Sequence, residues 1–209
     1  MQQHAQHLLG VEIVFMLEQT DELLQSMQQY SLPLVQQRKF TSSASSQHFA
    51  AMLLPKNAEF FVVYTDANSE VFVRAEGYAG CFFVQLQWAQ LKELLPPETV
   101  CRALLYRNKQ EQLILGVFDV LRLAGVDHTQ MPVVERHKVV HQLYGRLGKM
   151  LNGIVPHWVG EEGCLLEHMR DAAFCDGLPF EIDHMLRIDE SGTEEVYKLV
   201  LRPLQLPKA

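Results

Sequence analysis

The chain has 209 residues, of which 48% are hydrophobic and 21% charged. This is enough for a sizeable core and typical of one large globular domain, or of one domain with an appendage. The formal net charge of −7 argues against a broad duplex-binding face, since proteins that bind long nucleic acids carry a basic surface, but it is compatible with a small pocket for one nucleotide or an RNA end.

Targeting and redox signals are few. The four cysteines are scattered without a CxxC pair, which argues against a zinc site and a disulfide framework and predicts a reducing compartment. No apolar stretch is long enough to span a bilayer, and the start, MQQHAQHLL, lacks the basic region of a signal peptide. We therefore expect a cytoplasmic or nuclear protein without a membrane partner, with import into an organelle left open.

The first part of the chain is predicted to be separate from the rest. Residues 1–44 are interpreted as an N-terminal helical segment followed by a polar linker. The helix is expected to begin near Thr20 or Asp21, and the serine-rich run QRKFTSSASSQH at residues 37–48 is typical of a loop. The main domain is therefore placed at residues 45–209.

Within that domain, strands are expected to dominate. Runs of β-branched and aromatic residues alternate with turn sequences such as TDANS and DESGT. They predict strands at residues 60–64, 70–74, 100–106, 112–121, 180–188 and 196–202, with 82–95 beginning as a strand and ending as a helix.

Two further helices and a loop complete the pattern. Apolar residues recur at helical spacing over residues 132–151, and a shorter helix is predicted over 165–173. Residues 153–163, rich in Gly and Pro with a single tryptophan, are predicted to be a loop. Mostly antiparallel strands with a few helices indicate an α+β fold.

Three sequence motifs occur in a recognisable order. The first is PKNAEFFVVYTDANSEVFV at residues 55–73, and the second is Phe118-Asp119-Val120 followed by Gly125 and a helix. The third is PFEID at residues 179–183, followed by a last strand that ends LRP. Over roughly residues 45–205 this order resembles the nucleotidyltransferase core of mRNA capping guanylyltransferases and ATP-dependent ligases, and most closely its non-catalytic snurportin-type cap-binding relatives. The resemblance implies a core of antiparallel sheets with flanking helices.

The resemblance also implies where chemistry would occur. In the enzymes, the lysine of a KxDG motif attacks an α-phosphate, which requires a deprotonated amine. Lys56 stands at that position, but Ala58 and Glu59 replace the Asp and the Gly, and Val200 stands where the last motif carries a charge. We therefore expect no catalytic residue, no metal and no cofactor, with Lys56 and Mg²⁺ acting only under an enzymatic alternative.

Several residues, Lys56 among them, are candidates for binding a ligand. Glu181 and Asp183, two apart in a predicted strand, are expected to share one face. Lys198 and Arg202 are phosphate-binding candidates, and Trp158 either stacks on a ligand or packs on the core.

Asp119 is a candidate of a different kind. It lies between apolar residues of a predicted central strand, where an unpaired carboxylate would be costly. It therefore has either a role in a site or a paired structural role, while Arg136 on the following helix is interpreted as structural.

Three functions remain open at the level of sequence. The leading hypothesis is a catalytically inactive capping-enzyme or snurportin-like domain that binds an RNA 5′ end or nucleotide, or serves as a subunit of a ribonucleoprotein complex. The alternative is a divergent guanylyltransferase or ligase that uses Lys56. The third is a pure protein-interaction scaffold without a ligand.

Overall fold

The computed structural model describes residues 13–14, 37–39, 50–75, 82–84, 89–146, 153–189 and 191–199. The strands are β1 (Ile13–Val14), β2 (Gln37–Lys39), β3 (Ala50–Pro55), β4 (Glu59–Thr65), β5 (Val71–Ala75), β6 (Phe82–Val84), β7 (Val100–Arg107), β8 (Leu113–Leu123), β9 (Val126–Asp127), β10 (Ile154–Pro156), β11 (Gly160–Glu161), β12 (Ile182–Ile188) and β13 (Glu194–Lys198). The helices are α1 (Ala89–Leu94), α2 (Val133–Arg146), α3 (Glu162–His168) and α4 (Ala172–Gly177). The predicted α+β class is confirmed: this part of the chain is mostly sheet with few helices.

The described strands form two sheets. Eight of them make the first sheet, in the order β1-β6-β5-β4-β7-β8-β10 with β9 paired to β8. Five make the second, in the order β11-β3-β12-β13-β2. Neighbouring strands are antiparallel, except that β10 runs parallel to β8 and β2 runs parallel to β13.

The first sheet is buried on both faces. Along β7, Ala103 belongs to a core cluster with Val140 of α2, whereas the next residue, Leu104, belongs to a cluster with Leu186 of β12. Successive side chains of a strand point to opposite faces. Helices therefore cover one face of the first sheet, and the second sheet covers the other.

Most predicted elements are confirmed within one to three residues at their ends. The strands predicted at 60–64 and 70–74 form the antiparallel pair β4–β5, those at 100–106 and 112–121 form the pair β7–β8, and the predicted long helix is α2. The last two predicted strands are β12 and β13. The predicted N-terminal helix, and the ends of the predicted long helix and last strand, lie outside the described residues.

Three predictions need correction. The predicted loop at 153–163 contains the short strands β10 and β11, whose two or three residues are too few for an alternating pattern to be visible. The helix predicted over 165–173 is two helices, because Asp171 accepts a hydrogen bond from the Ala173 N–H and caps the start of α4. In the predicted linker at 37–48, residues 37–39 are the strand β2; the remaining residues lie outside the described ranges.

The strand β3 was not predicted at all. Its six residues, AAMLLP, are all buried, so they show no alternation of polar and apolar side chains. It lies inside the second sheet, between β11 and β12, and it places the residues that follow it next to the start of β12.

A strained turn joins β8 to β9, and it leads to a testable prediction. Ala124 and Gly125 form a two-residue connection with φ of 48° and 81°, the type that prefers Asn-Gly. Because alanine pays a steric penalty at positive φ and its side chain here is exposed, we expect Ala124→Asn to raise the free energy of unfolding by about 0.5–1 kcal/mol. Urea denaturation measures this. Ala124→Val is the opposite control and should destabilise, and a neutral or negative effect of the Asn variant would contradict the assignment of the turn.

Candidate functional site

Lys56 lies where the chain crosses from the second sheet to the first. Pro55 ends β3 and pairs with Ile182 of β12, and the Lys56 N–H donates to the Glu181 carbonyl at 2.8 Å. Asn57, with φ of 57°, then turns the chain towards β4. The backbone of Lys56 is therefore held against the segment that contains the third motif.

The side chains of Lys56 and Glu181 form an ion pair. The Lys56 Nζ lies 3.0 Å from the Glu181 Oε2, and both side chains are exposed, at 57% and 66%. The hydrogen bond to Glu181, followed by the charge of the same carboxylate, raises the pKa of Lys56 above its usual value, and Asp183 adds a smaller contribution. Both contributions favour the protonated form of the amine, which can bind an anion.

A cleft of about 600 Å³ opens beside this pair. It lies between the Lys56 turn and the tip of the β7–β8 hairpin, and we call it the Lys56 cleft. Its charged lining consists of three cations and two carboxylates, which leaves a net charge of +1 in a chain of net charge −7. These residues are Lys56, Arg107, Lys109, Glu111 and Glu181.

The tip of the β7–β8 hairpin is held by hydrogen bonds to backbone carbonyls. The Lys109 Nζ donates to the Asp176 carbonyl at 2.8 Å, and its N–H donates to the Pro179 carbonyl at 2.7 Å. The Arg107 Nη1 donates to the Glu111 carbonyl at 2.9 Å. Each of these cations makes its hydrogen bond to a neutral carbonyl, so its charge is not neutralised there and its other N–H groups can donate to a ligand.

Three buried aromatic rings lie behind the cleft. Tyr106, which also lines it, contacts Phe180 edge-on at 5.4 Å between ring centroids, and Phe180 stacks on His157 at the same distance. Burial raises the pKa of Tyr106 to about 12, so its hydroxyl stays neutral. Gly116 gives His157 the necessary room, because a Cβ there would lie 3.0 Å from the His157 Cβ. The side of the cleft behind Tyr106 is thus made of buried aromatic rings, and Tyr106 adds one hydroxyl.

Asp183 and Lys198 lie at the same end of the second sheet but do not line the Lys56 cleft. Asp183 Oδ2 is 3.1 Å from the Nδ1 of His184, and His184 is paired in register with the exposed Lys198. The register of β12 shifts between Ile182 and His184, so the alternation that would put Glu181 and Asp183 on one face does not apply here.

Asp119 lies away from the cleft, in the interior. It is fully buried and accepts hydrogen bonds from Arg136 at its Oδ1 (from Nε, 2.7 Å) and Oδ2 (from Nη2, 2.9 Å), and the Nη1 of Arg102 is 3.8 Å away. Its carboxylate is thus paired, and Arg136 has the structural role expected of it.

Of the last two candidates, the structure describes Trp158, which is also separate from Lys56. Trp158 is 41% exposed and lies against Gly160 of β11, which pairs with Ala51 at the far end of β3 from Lys56. Arg202 lies outside the described residues. Of the seven candidates, the Lys56 cleft is lined by Lys56 and Glu181.

The sequence did not single out Arg107 and Lys109, although both lie between the strands predicted at 100–106 and 112–121. Two cations two residues apart at the tip of a hairpin were the available signal. No group of three or more His, Cys, Asp or Glu side chains suited to a metal ion occurs in the described ranges. Within the same ranges, no helix combines the length and apolar character needed to cross a membrane.

The fold and site thus define an α+β domain with a cation-lined cleft beside the junction of two sheets. No protein-family model and no curated protein matches the chain. Among solved structures it is similar to the ligase domain of LigD from M. tuberculosis, with 13% sequence identity and a TM-score of 0.45 over 79% of this chain. The match spans 56% of that ligase chain. So distant a likeness carries no conclusion about activity.

Proposed function

We propose that this protein is a non-catalytic domain that binds a nucleotide or the 5′ end of an RNA in the Lys56 cleft, as a subunit of a ribonucleoprotein complex. The observation that carries the proposal is the gathering of Lys56, Arg107 and Lys109 around one cleft in an otherwise acidic chain. Cations of this kind bind phosphate oxygens through charge-assisted hydrogen bonds.

The dimensions of the cleft support a small ligand. Its volume of about 600 Å³ falls within the range of pockets for nucleotide-sized molecules. The hydroxyl of Tyr106 can donate or accept a hydrogen bond with a base or a ribose, and the carboxylates of Glu111 and Glu181 can accept hydrogen bonds from them. Such a cleft suits one nucleotide or a strand end better than a duplex.

The state of Lys56 supports binding without chemistry. A nucleophilic lysine needs its pKa lowered by burial or by neighbouring cations, whereas here an exposed ion pair with Glu181 raises it. Ala58 and Glu59 also stand where the resembling enzymes carry the Asp and Gly of their motif. No metal or cofactor is part of the proposal.

Calorimetric titration with GTP, cap analogues and short RNAs carrying a 5′-phosphate or a 5′-hydroxyl tests it. We expect binding that depends on the phosphate. Arg107→Ala or Lys109→Ala should weaken it by about tenfold or more, the effect of losing one charge-assisted hydrogen bond. Lys138→Ala is the matched control, because this exposed lysine on α2 pairs with Glu135 and lies outside the cleft lining.

Two results would replace the proposal. A covalent adduct with radiolabelled GTP or ATP in the presence of Mg²⁺, lost in Lys56→Ala, would establish the divergent nucleotidyltransferase. No heat with any of these ligands would favour the protein-interaction scaffold.

A further inference from the structure

Two histidines of α2 face each other through ring nitrogens. His137 and His141 are one helical turn apart, and their Nε2 atoms are 3.0 Å from each other with the rings edge to face. His137 is 4% exposed and His141 lies on the exposed side of the helix. Neither residue belongs to the Lys56 cleft, so a ligand of this pair would be independent of the proposed function.

The tautomer of His137 is set by the first sheet. Its Nδ1 lies 3.2 Å from the carbonyl oxygen of Phe118 in β8. A carbonyl only accepts, so in the neutral ring the proton is on Nδ1 and the lone pair of Nε2 points to His141. Histidines that ligate metals are commonly oriented by this type of hydrogen bond from the second ring nitrogen to a backbone carbonyl.

We propose that His137 and His141 form a binding site for a late divalent transition-metal ion of the Ni²⁺ or Cu²⁺ class, with both Nε2 atoms as ligands and water in the remaining positions. In the metal-free protein the same two nitrogens are joined by a hydrogen bond, which the Nε2–H of His141 donates to the Nε2 of His137. Metal binding requires His141 to move its proton from Nε2 to Nδ1, which its exposure to solvent permits.

The spacing of the two nitrogens is compatible with a square-planar or octahedral ion. At a metal–nitrogen distance of about 2.0–2.1 Å, two nitrogens 3.0 Å apart subtend about 95° at the ion. This is close to the right angle between adjacent ligands in square-planar and octahedral complexes. Imidazole nitrogens suit Cu²⁺ and Ni²⁺, while Mg²⁺ and Ca²⁺ require oxygen ligands.

The surroundings keep the ring of His137 neutral, and the neighbouring cations on the helix are paired. Burial lowers the pKa of His137 to about 4, so the ring is neutral and free to act as a ligand near pH 7. The neighbouring cations on the helix are both paired: Arg136 with Asp119, and Lys138 with Glu135. The charge of Asp119, in turn, favours positive charge on His137.

Titration of the untagged full-length protein with NiCl₂ tests the site. We expect one Ni²⁺ per chain, not displaced by an excess of MgCl₂. His141→Ala should weaken binding by about tenfold or more, since one of the two protein ligands is lost. The exposed position of His141 makes this variant safe for the fold, which far-UV circular dichroism checks. His168→Ala, which removes an exposed histidine on another helix, α3, is the matched control and should bind as the unchanged protein does.

Electron paramagnetic resonance with CuCl₂ gives an independent readout. The spectrum should show coupling to two ligand nitrogens in the unchanged protein and in a variant lacking His4, His7 and His48, and to one at most in His141→Ala. The proposal is overturned if the unchanged protein takes up no Ni²⁺, if His141→Ala binds it equally well, or if uptake disappears with the three N-terminal histidines.

Discussion

Replacing Asp119 by asparagine is expected to lower the free energy of unfolding by about 3–5 kcal/mol, the cost of breaking a buried ion pair from one side. Asp119 is fully buried and lies in a chain of alternating charges, Glu194–Arg102–Asp119–Arg136, whose formal charges cancel. Asparagine has nearly the same shape but no charge, and its amide would point donors at guanidinium donors.

The other charges of this group explain why nearby residues cannot compensate for the loss of the Asp119 carboxylate. Arg102 is 1% exposed and makes two hydrogen bonds to Glu194, at 2.6 and 2.9 Å, and its guanidinium lies 4.8 Å from the ring centroid of Phe118. The four charges join β13 in the second sheet to β7 and β8 in the first and to α2. Without Asp119 the interior would carry one uncompensated positive charge across three elements.

Urea denaturation followed by circular dichroism measures the effect. Asp176→Asn is the matched control: its side chain is exposed, and only its backbone carbonyl takes part in the contact with Lys109. It should change stability by less than about 0.5 kcal/mol. If Asp119→Asn lowered the free energy of unfolding by less than about 1 kcal/mol, which is typical of losing an exposed ion pair, these four charges would not be a stabilising feature.

Stability is also expected to fall as the solution is acidified from neutral pH, because His157 is buried in its neutral form. Burial lowers its pKa from 6.5 to about 4, against a smaller opposing effect of its hydrogen bond to the Leu53 carbonyl at 2.8 Å. The unfolded chain then binds a proton more readily than the folded one between these two values. The stabilisation is fully present above the unfolded pKa and is lost as the pH falls towards 4.

The lowering of the His157 pKa also sets the size of this loss of stability. Between about pH 7.5 and about pH 5, His157 alone should account for a loss of about 2 kcal/mol. His157→Gln keeps a donor for the Leu53 carbonyl but cannot titrate, so its loss over this interval should be about 2 kcal/mol smaller than that of the unchanged protein. Urea denaturation at both pH values measures the difference, with the exposed His168→Gln as the control. Equal losses in the unchanged protein and His157→Gln would contradict the neutral burial of this ring.

Local patterns in the sequence were enough to predict most elements. The hairpins β4–β5 and β7–β8 combine β-branched residues with turn sequences, and α2 repeats its apolar residues at helical spacing, so each is encoded within a short window. Elements without periodicity were missed. β3 is buried along its whole length, and β10 and β11 are too short to show a pattern.

The residues of the candidate site were likewise predicted only in part from local patterns in the sequence. Lys56 and Glu181 were singled out from motifs that lie 125 residues apart, and the structure places their side chains 3.0 Å from each other. Asp119 was recognised as a carboxylate that is costly to bury without a partner. Its partners, Arg136 on a helix and Arg102 on the neighbouring strand, are defined only by packing.

By itself, the sequence determined the α+β class and the positions of its periodic elements, because these depend on residue type and local spacing. The tertiary structure alone decided that Arg107 and Lys109 meet Lys56, since the hairpin tip reaches the segment at residues 176–181 through contacts between distant parts of the chain. It also decided that the pKa of Lys56 is raised, because the direction of this shift depends on which carboxylate the fold places beside the amine.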